Sequence, residues 1–297
     1  MLVALTGSSG LIGSALGARL EAQGHRLRPV VRGSPDEGSA LWDPAAGWFR
    51  DGALEGVDAV VHLAGPGIAA GRWTARRRRL LHETRVDGTR LLVDHIAGLS
   101  QRPRVLVSAS AVGYYGDRGE ETLSEDLPAG GGFLAELCVA WEREARRVEE
   151  FGVRAVQLRT STVLSRRGGA LPRLLTPFRL GMGGRLGGGR QWFAWVSLPD
   201  VVGAIEHLLG AEALSGPVNV TAPNPVTNAE FTRALARQLR RPALLPLPAF
   251  ALRLLFGGVA DEALLSSQRS VPTQLQRSGY RFLHPDIDAG LEAALAE

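Results

Sequence analysis

The feature that most restricts what this chain can become is a short apolar run that stops at glycine and reopens as a helix. Leu2-Val3-Ala4-Leu5-Thr6 carries no polar alternation, which is the pattern of a parallel strand covered on both faces. Gly7-Ser8-Ser9-Gly10-Leu11-Ile12-Gly13 follows, then a helical stretch to about Gln23 that stops at Gly24. In that context Gly7 allows the sharp turn, Gly10 the approach of backbone to a pyrophosphate, and Gly13 the close packing of helix on sheet. The free amides of the helix N-terminus are then left for the phosphates. The sequence predicts a dinucleotide site on Gly7, Ser8, Ser9, Gly10, Leu11, Ile12 and Gly13.

The end of the second strand decides which dinucleotide. Leu27 to Val31 is that strand, and Arg32 stands where an NAD site usually has an acid for the ribose 2′-hydroxyl. An arginine after Val31 would pair with a 2′-phosphate, so NADP(H) is expected over NAD. The alternative is a surface Arg32, with Asp36 or Glu37 taking the ribose.

Strands and helices alternate further along. Asp58 to Leu63 is a strand, Trp73 to about Ala97 a long helix, Val105 to Ser108 a strand, Phe133 to Phe151 a helix and Arg154 to Leu158 a strand. This alternation predicts an α/β fold with a doubly wound parallel sheet over residues 1–165. From about Arg166 prolines and a glycine-rich stretch, residues 181–189, change the character. Residues 166–297 are expected to form a smaller C-terminal substrate lobe, partly interleaved with the main sheet. Gly181 to Gly189 with Arg179, Arg185 and Arg190 reads either as an anion-binding lid or as a solvated loop.

Composition excludes several classes. All 34 basic residues are arginine and the net charge is +4, so the high pI reflects residue choice more than charge excess. Arg76-Arg77-Arg78-Arg79 lies in an amphipathic pattern with Trp73, Leu80, Leu81 and Val86, and reads as a solvated helix face rather than a nucleic-acid site. The single Cys138 excludes an internal disulfide and a zinc knuckle. His62, His82 and His207 lack ligand-like spacing, so no metal site is expected. No apolar run has the length of a membrane span, and a cytoplasmic protein without nucleic-acid or membrane partners, acting on a small molecule, is the expectation.

These motifs resemble the extended short-chain dehydrogenase/reductase superfamily. More narrowly the chain is similar to its atypical NAD-dependent epimerase/dehydratase-like branch, which carries a C-terminal domain of unknown function. The resemblance rests on Thr6 to Gly13, Leu63-Ala64-Gly65, Arg72-Trp73-Thr74, Ser108 to Gly116, Phe133 to Cys138 and Gly189 to Phe193. It implies a Rossmann-type sheet and further cofactor contacts from Leu63, Ala64, Gly65, Arg85, Ser108, Thr160 and Thr162. Arg85 stands where the wider superfamily often has asparagine.

The resemblance also exposes a departure. Superfamily reductases and epimerases use a Tyr-x-x-x-Lys pair, one helical turn apart, in which the lysine lowers the tyrosine pKa for acid–base work. This chain has no lysine, and aligning the helix by Glu142 puts Leu134 and Cys138 at those two positions. Ser110 matches the superfamily's serine, and either caps backbone or orients a substrate carbonyl. Tyr114 or Tyr115 could replace the missing acid, with Glu136 a further candidate; Cys138 reads as a small buried hydrophobe. Two functions remain open: an oxidoreductase or epimerase-like enzyme of atypical mechanism, and an NADP(H)-binding sensor or partner-binding module without turnover.

Overall fold

The computed structural model describes residues 1–33 and 38–297. Its strands are β1 (Leu2–Thr6), β2 (Arg26–Val31), β3 (Ala40–Asp43), β4 (Trp48–Phe49), β5 (Ala59–His62), β6 (Val105–Ala111), β7 (Thr122–Leu123), β8 (Arg154–Thr160), β9 (Thr162–Leu164), β10 (Trp192–Phe193), β11 (Trp195–Ser197), β12 (Gly216–Val220), β13 (Val226–Thr227) and β14 (Arg269–Ser270). The helices are α1 (Leu11–Ala22), α2 (Ala75–His82), α3 (Gly88–Ala97), α4 (Phe133–Arg146), α5 (Leu171–Arg179), α6 (Leu198–Gly210), α7 (Asn228–Leu239), α8 (Ala249–Phe256), α9 (Thr273–Arg277) and α10 (Ile287–Ala296).

The main sheet runs β12-β8-β6-β5-β1-β2-β3-β4. Every neighbouring pair is parallel except β3 with β4 at one edge. The chain winds outward from β1 through β2 and β3, then returns to the other side of β1 and winds outward again from β5. The strand order therefore reverses between β1 and β5, and the crevice that opens beyond their carboxyl ends is where such sheets take ligands.

Both faces are buried, which is why the strands read as apolar runs. On one face Val3, Leu5, Val61 and Val107 pack under Leu16 and Leu20 of α1 and Val201, Ile205 and Leu208 of α6. On the other, Ala4, Val60, Leu106 and Ala155 meet Leu92, Val93 and Ile96 of α3. Each fully buried aliphatic side chain of that kind contributes roughly 1.5–3 kcal/mol. Past residue 165 the chain comes back to this sheet, since β12 pairs with β8 and α6 covers α1's side. A separate core around Trp195, Phe178, Phe231 and Leu291 packs α5, α7 and α10 together.

Two helices depart from the lengths expected. The run from Trp73 to Ala97 is α2, a π-helical turn over Glu83–Asp87 and then α3. The Thr84 hydroxyl donates to the Leu80 carbonyl at 2.7 Å, a back-bond that bends helices, and the widened turn carries Arg85 into the interior. The run from Phe133 leaves α-helical geometry after Arg146 and tightens to a 3-10 turn that ends at Gly152 in the left-handed region.

Candidate functional site

The carboxyl ends of the parallel strands place most of the sequence-derived residues along one rim. β1 ends at Thr6 and turns at Gly7, whose φ of +71° is left-handed. A Cβ there would lie 2.9 Å from the Leu63 carbonyl, so only glycine allows the β1 and β5 loops to touch. A Cβ on Gly13 would lie 2.1 Å from the Gly7 oxygen, so the helix reaches the turn only because position 13 has no side chain. Gly10 is the N-cap of α1, no side chain caps that helix, and its first turn holds no acid. Its first-turn amides have no partner among the described residues, as an anion site requires. Ser8 is half-buried and Ser9 exposed beside them. Val31 and the exposed Arg32 close β2 on the same rim. Asp36 and Glu37 lie outside the described residues.

A hydrogen-bonded chain fixes the β5 loop. The Thr6 hydroxyl accepts the amides of Leu63 and Ala64, each at 3.1 Å. Its proton is then left for His62 Nδ1 at 2.7 Å, and His62 Nε2 donates to the Thr89 hydroxyl at 3.0 Å. Burial, and secondly the charge of Arg85, lower the His62 pKa to about 4, so the ring is neutral and the tautomer follows from its partners. His62 has no metal-ligand spacing in the sequence. Its partners, Thr6 and Thr89, lie 56 and 27 residues away, and nothing in the local pattern announces them.

Arg85 enters from the π-turn and lies against Gly65: a Cβ on that glycine would be 3.3 Å from Arg85 Cζ. Its Nη2 donates to the Pro66 carbonyl at 2.8 Å, and the Trp141 ring lies 5.3 Å away. Arg85 Nε and Nη1 are buried without a partner among the described residues. Burial lowers its pKa to about 10, which leaves the guanidinium charged at neutral pH. A buried cation with two unused donors beside the β5 loop is the arrangement of a group awaiting an oxygen-rich ligand. Thr160 ends β8 on the same rim, whereas Ser108 is fully buried midway along β6, opposite His62. Thr162 lies beyond them on the small β9–β11 pair.

The corner where acid–base chemistry would be expected is built differently. Ser110 donates to Glu142 Oε1 at 2.6 Å. Arg159 grips the same carboxylate in a fork, Nε to Oε1 and Nη2 to Oε2, each at 2.9 Å, with both residues buried. Arg159 Nη1 donates to the Tyr115 hydroxyl at 3.0 Å, which itself donates to Asn219 Oδ1 at 2.8 Å. Burial raises the Tyr115 pKa to about 12, although Arg159 opposes the shift. Tyr114 is half-buried, with the Arg159 guanidinium 3.5 Å from its ring centroid. Cys138 is buried with its thiol toward the Ala111 carbonyl at 3.8 Å. Burial and then the charge of Glu142 push its pKa up to about 12, so it is an inert thiol. Leu134 is buried and Glu136 is exposed, away from this network. Ser110 and Tyr115 are thus brought together, but through a shared ion pair that the sequence does not reveal. Glu142 served there only to align the helix.

The glycine-rich stretch is not a free lid. Leu245 donates to Gly183 O, Leu247 to Arg185 O and Gly187 to Leu247 O, at 2.9–3.2 Å. A Cβ on Gly184 would lie 1.9 Å from the Leu245 oxygen. Close backbone packing against residues 242–247 accounts for glycine at position 184.

A doubly wound sheet with a glycine turn and an uncapped helix at its switch point defines the Rossmann-type class of nucleotide-binding folds. The chain belongs to the NAD dependent epimerase/dehydratase family, which it matches over residues 3–221. Residues 247–294 match a domain of unknown function, DUF1731. It is 46% identical over 291 residues to epimerase family protein Mb2239 of Mycobacterium bovis, covering 98% of this chain and 96% of that one. A crystal structure of human epimerase family protein SDR39U1 (isoform 2) with NADPH superposes with a TM-score of 0.92 at 34% identity, covering 100% of both chains. UDP-N-acetylglucosamine 4-epimerase of Bacillus cereus, 16% identical with a TM-score of 0.76 over 99% of this chain and 98% of that one, shares the fold.

Proposed function

We propose that this chain is an epimerase-like protein that binds NADP(H) and holds it without the superfamily's Tyr–Lys proton donor. The observation that carries the binding is the uncapped first turn of α1 over the β1–β5 crevice, with Gly7 and Gly13 in positions that no side chain could occupy. The human relative's NADPH supports the choice of cofactor. Gly7 to Gly13 would hold the pyrophosphate and Val31 and Arg32 the adenosine ribose with its 2′-phosphate. Leu63, Ala64 and Gly65 would line the adenosine side, and Arg85 would donate from its two unused nitrogens. Ser108, Thr160 and Thr162 would flank the nicotinamide end. When bound, the cofactor supplies a hydride donor or acceptor.

What the protein's own residues offer that hydride is limited. Ser110 spends its proton on Glu142, Tyr115 spends its proton on Asn219, and Cys138 is a buried thiol. This favours an NADP(H)-binding sensor or partner-binding module over an enzyme that uses Ser110 or Tyr115. One observation favours the catalytic reading: Tyr114 alone of the two tyrosines has its hydroxyl outside the Arg159–Asn219 network, while Arg159 charges the space over its ring. Titration of the protein into NADPH and NADH, followed by nicotinamide fluorescence, tests the proposal. Preferred NADPH binding supports it, and failure to bind either dinucleotide overturns it. A carbonyl panel followed by nicotinamide absorbance then separates the two readings, since substrate-dependent oxidation would favour the enzyme.

A further inference from the structure

The C-terminal lobe carries a surface that the nucleotide site does not use. Leu180, Met182, Leu244, Leu245, Phe250 and Leu254 are each more than half exposed, with Leu244 at 81%, Leu254 at 72% and Phe250 at 71%. They stand on adjoining segments, because the strip 183–187 is hydrogen-bonded along residues 245–247 and α8 begins two residues later. Within α8, Phe250 and Leu254 are one turn apart and share the outward face, while Leu252 alone is buried. Soluble monomers rarely leave so many large apolar side chains together in water, and such patches mark interaction sites.

The charge around the patch says what covers it. Residues 151–199 and 231–260 contain no aspartate or glutamate, yet they carry thirteen of the 34 arginines. The rest of the chain has 30 acids against 21 arginines. Arg159 is buried on Glu142, and Arg237 and Arg253 pair with Asp288 and Asp261, which leaves ten of the thirteen outside any ion pair among the described residues. Arg179, Arg240 and Arg241 at the margin of the patch are exposed and take part in no ion pair among the described residues. Arg240 is also the only non-glycine residue described with a positive φ, +51°, at the C-cap of α7. Glycine would adopt that conformation without strain, yet the position holds a guanidinium.

We propose that this face docks the protein onto an anionic lipid surface, with Phe250, Leu254 and Leu244 entering the headgroup boundary and the arginines meeting the acidic headgroups. An apolar face rimmed by arginine is the composition of interfacial, not spanning, contact. Among the described residues no helix is long and apolar enough to cross a membrane, and peripheral contact needs none. A second copy is the poorer occupant, since two-fold pairing would set one basic rim against another.

The full-length protein should sediment with phosphatidylcholine vesicles containing one third phosphatidylglycerol and stay in solution with phosphatidylcholine alone. Half-molar salt should release it. Phe250→Ser with Leu254→Ser, and separately Arg240→Ser with Arg241→Ser, should each lower the bound fraction about tenfold or more. Unchanged melting and unchanged NADPH fluorescence in both pairs would show that the fold is intact, and the arginine pair, being exposed, keeps the test valid if the apolar pair misfolds. No sedimentation with acidic vesicles, or binding indifferent to either pair, overturns the proposal. So does a dimer in analytical ultracentrifugation that Phe250→Ser with Leu254→Ser dissolves, which would assign the face to a second copy.

Discussion

The two ends of the crevice use polar groups in opposite ways. On the β1–β5 side donors have no partner among the described residues: the first-turn amides of α1, and Nε and Nη1 of the buried Arg85, with the exposed Arg32 at the end of β2. At the β6–β8 end, Ser110, Glu142, Arg159, Tyr115 and Asn219 form a buried chain in which each group has found another. Unmet donors are what a ligand needs, whereas a buried polar network with its partners in place mainly fixes geometry. Matching a superfamily position, as Ser110 does, is not enough for chemistry. The hydroxyl must also be free to turn toward a substrate.

The largest expected effect is at Glu142. Glu142→Ala leaves the Arg159 guanidinium buried without its counter-ion, and should remove about 3–5 kcal/mol of stability in denaturant titrations. Replacing both partners with apolar residues, Glu142→Leu with Arg159→Met, should recover much of that loss. If Glu142→Ala were nearly neutral, the corner would not be a structural network and the catalytic reading would gain. Next comes Gly13→Ala, where the new Cβ meets the Gly7 oxygen. Helix α1 must shift, at a cost of about 1–3 kcal/mol, and NADPH affinity should fall with the stability. Unchanged affinity by fluorescence titration would mean that the pyrophosphate does not lie there.

Arg32→Ala sharpens the cofactor side. A charge-assisted contact to the 2′-phosphate contributes about 1.5–3 kcal/mol, so NADPH should weaken roughly tenfold to a hundredfold while NADH changes little. Equal losses for both would remove Arg32 from that role. His62 sets a pH effect of similar size. Its folded pKa, about 4, lies below the unfolded value of 6.5. The unfolded chain therefore binds the proton first as pH falls, and stability present above pH 6.5 is lost progressively down to pH 4. That amounts to about 2 kcal/mol between neutral pH and pH 5, measurable as a falling denaturation midpoint. His62→Gln should flatten this part of the profile, and an unaltered slope would show that other groups set it.

What could be read in advance follows the range of the forces involved. The glycine turn and the uniformly apolar strands are legible because turn geometry and burial on both faces act within a few residues of sequence. The break between α2 and α3 was hidden because the apolar stripe runs through it unbroken, and only the Thr84 back-bond and the inward Arg85 give it away. The Glu142–Arg159 pair joins residues 17 apart on a helix and a strand, and Tyr115 meets Asn219 across 104 residues. Neither pairing leaves a periodic trace. The glycines at 181–189 read equally as an anion-binding lid or a solvated loop, whereas at Gly184 small size serves the approach of another backbone.

Tyr114→Phe is the smallest expected change in stability and the one that decides between the two readings. The phenol takes no part in the Arg159–Asn219 network, and the ring keeps its contact with the guanidinium after the hydroxyl is removed. Stability should therefore move by less than about 0.5 kcal/mol, and NADPH affinity should not move. If a carbonyl substrate is turned over, the same substitution should lower the rate about a hundredfold or more, the contribution of a lost general acid. Tyr115→Phe is the matched control: it deletes a buried donor to Asn219 and should lower stability by about 1–3 kcal/mol. A turnover insensitive to Tyr114→Phe would leave neither tyrosine as the proton donor, because Tyr115's proton is already committed to Asn219.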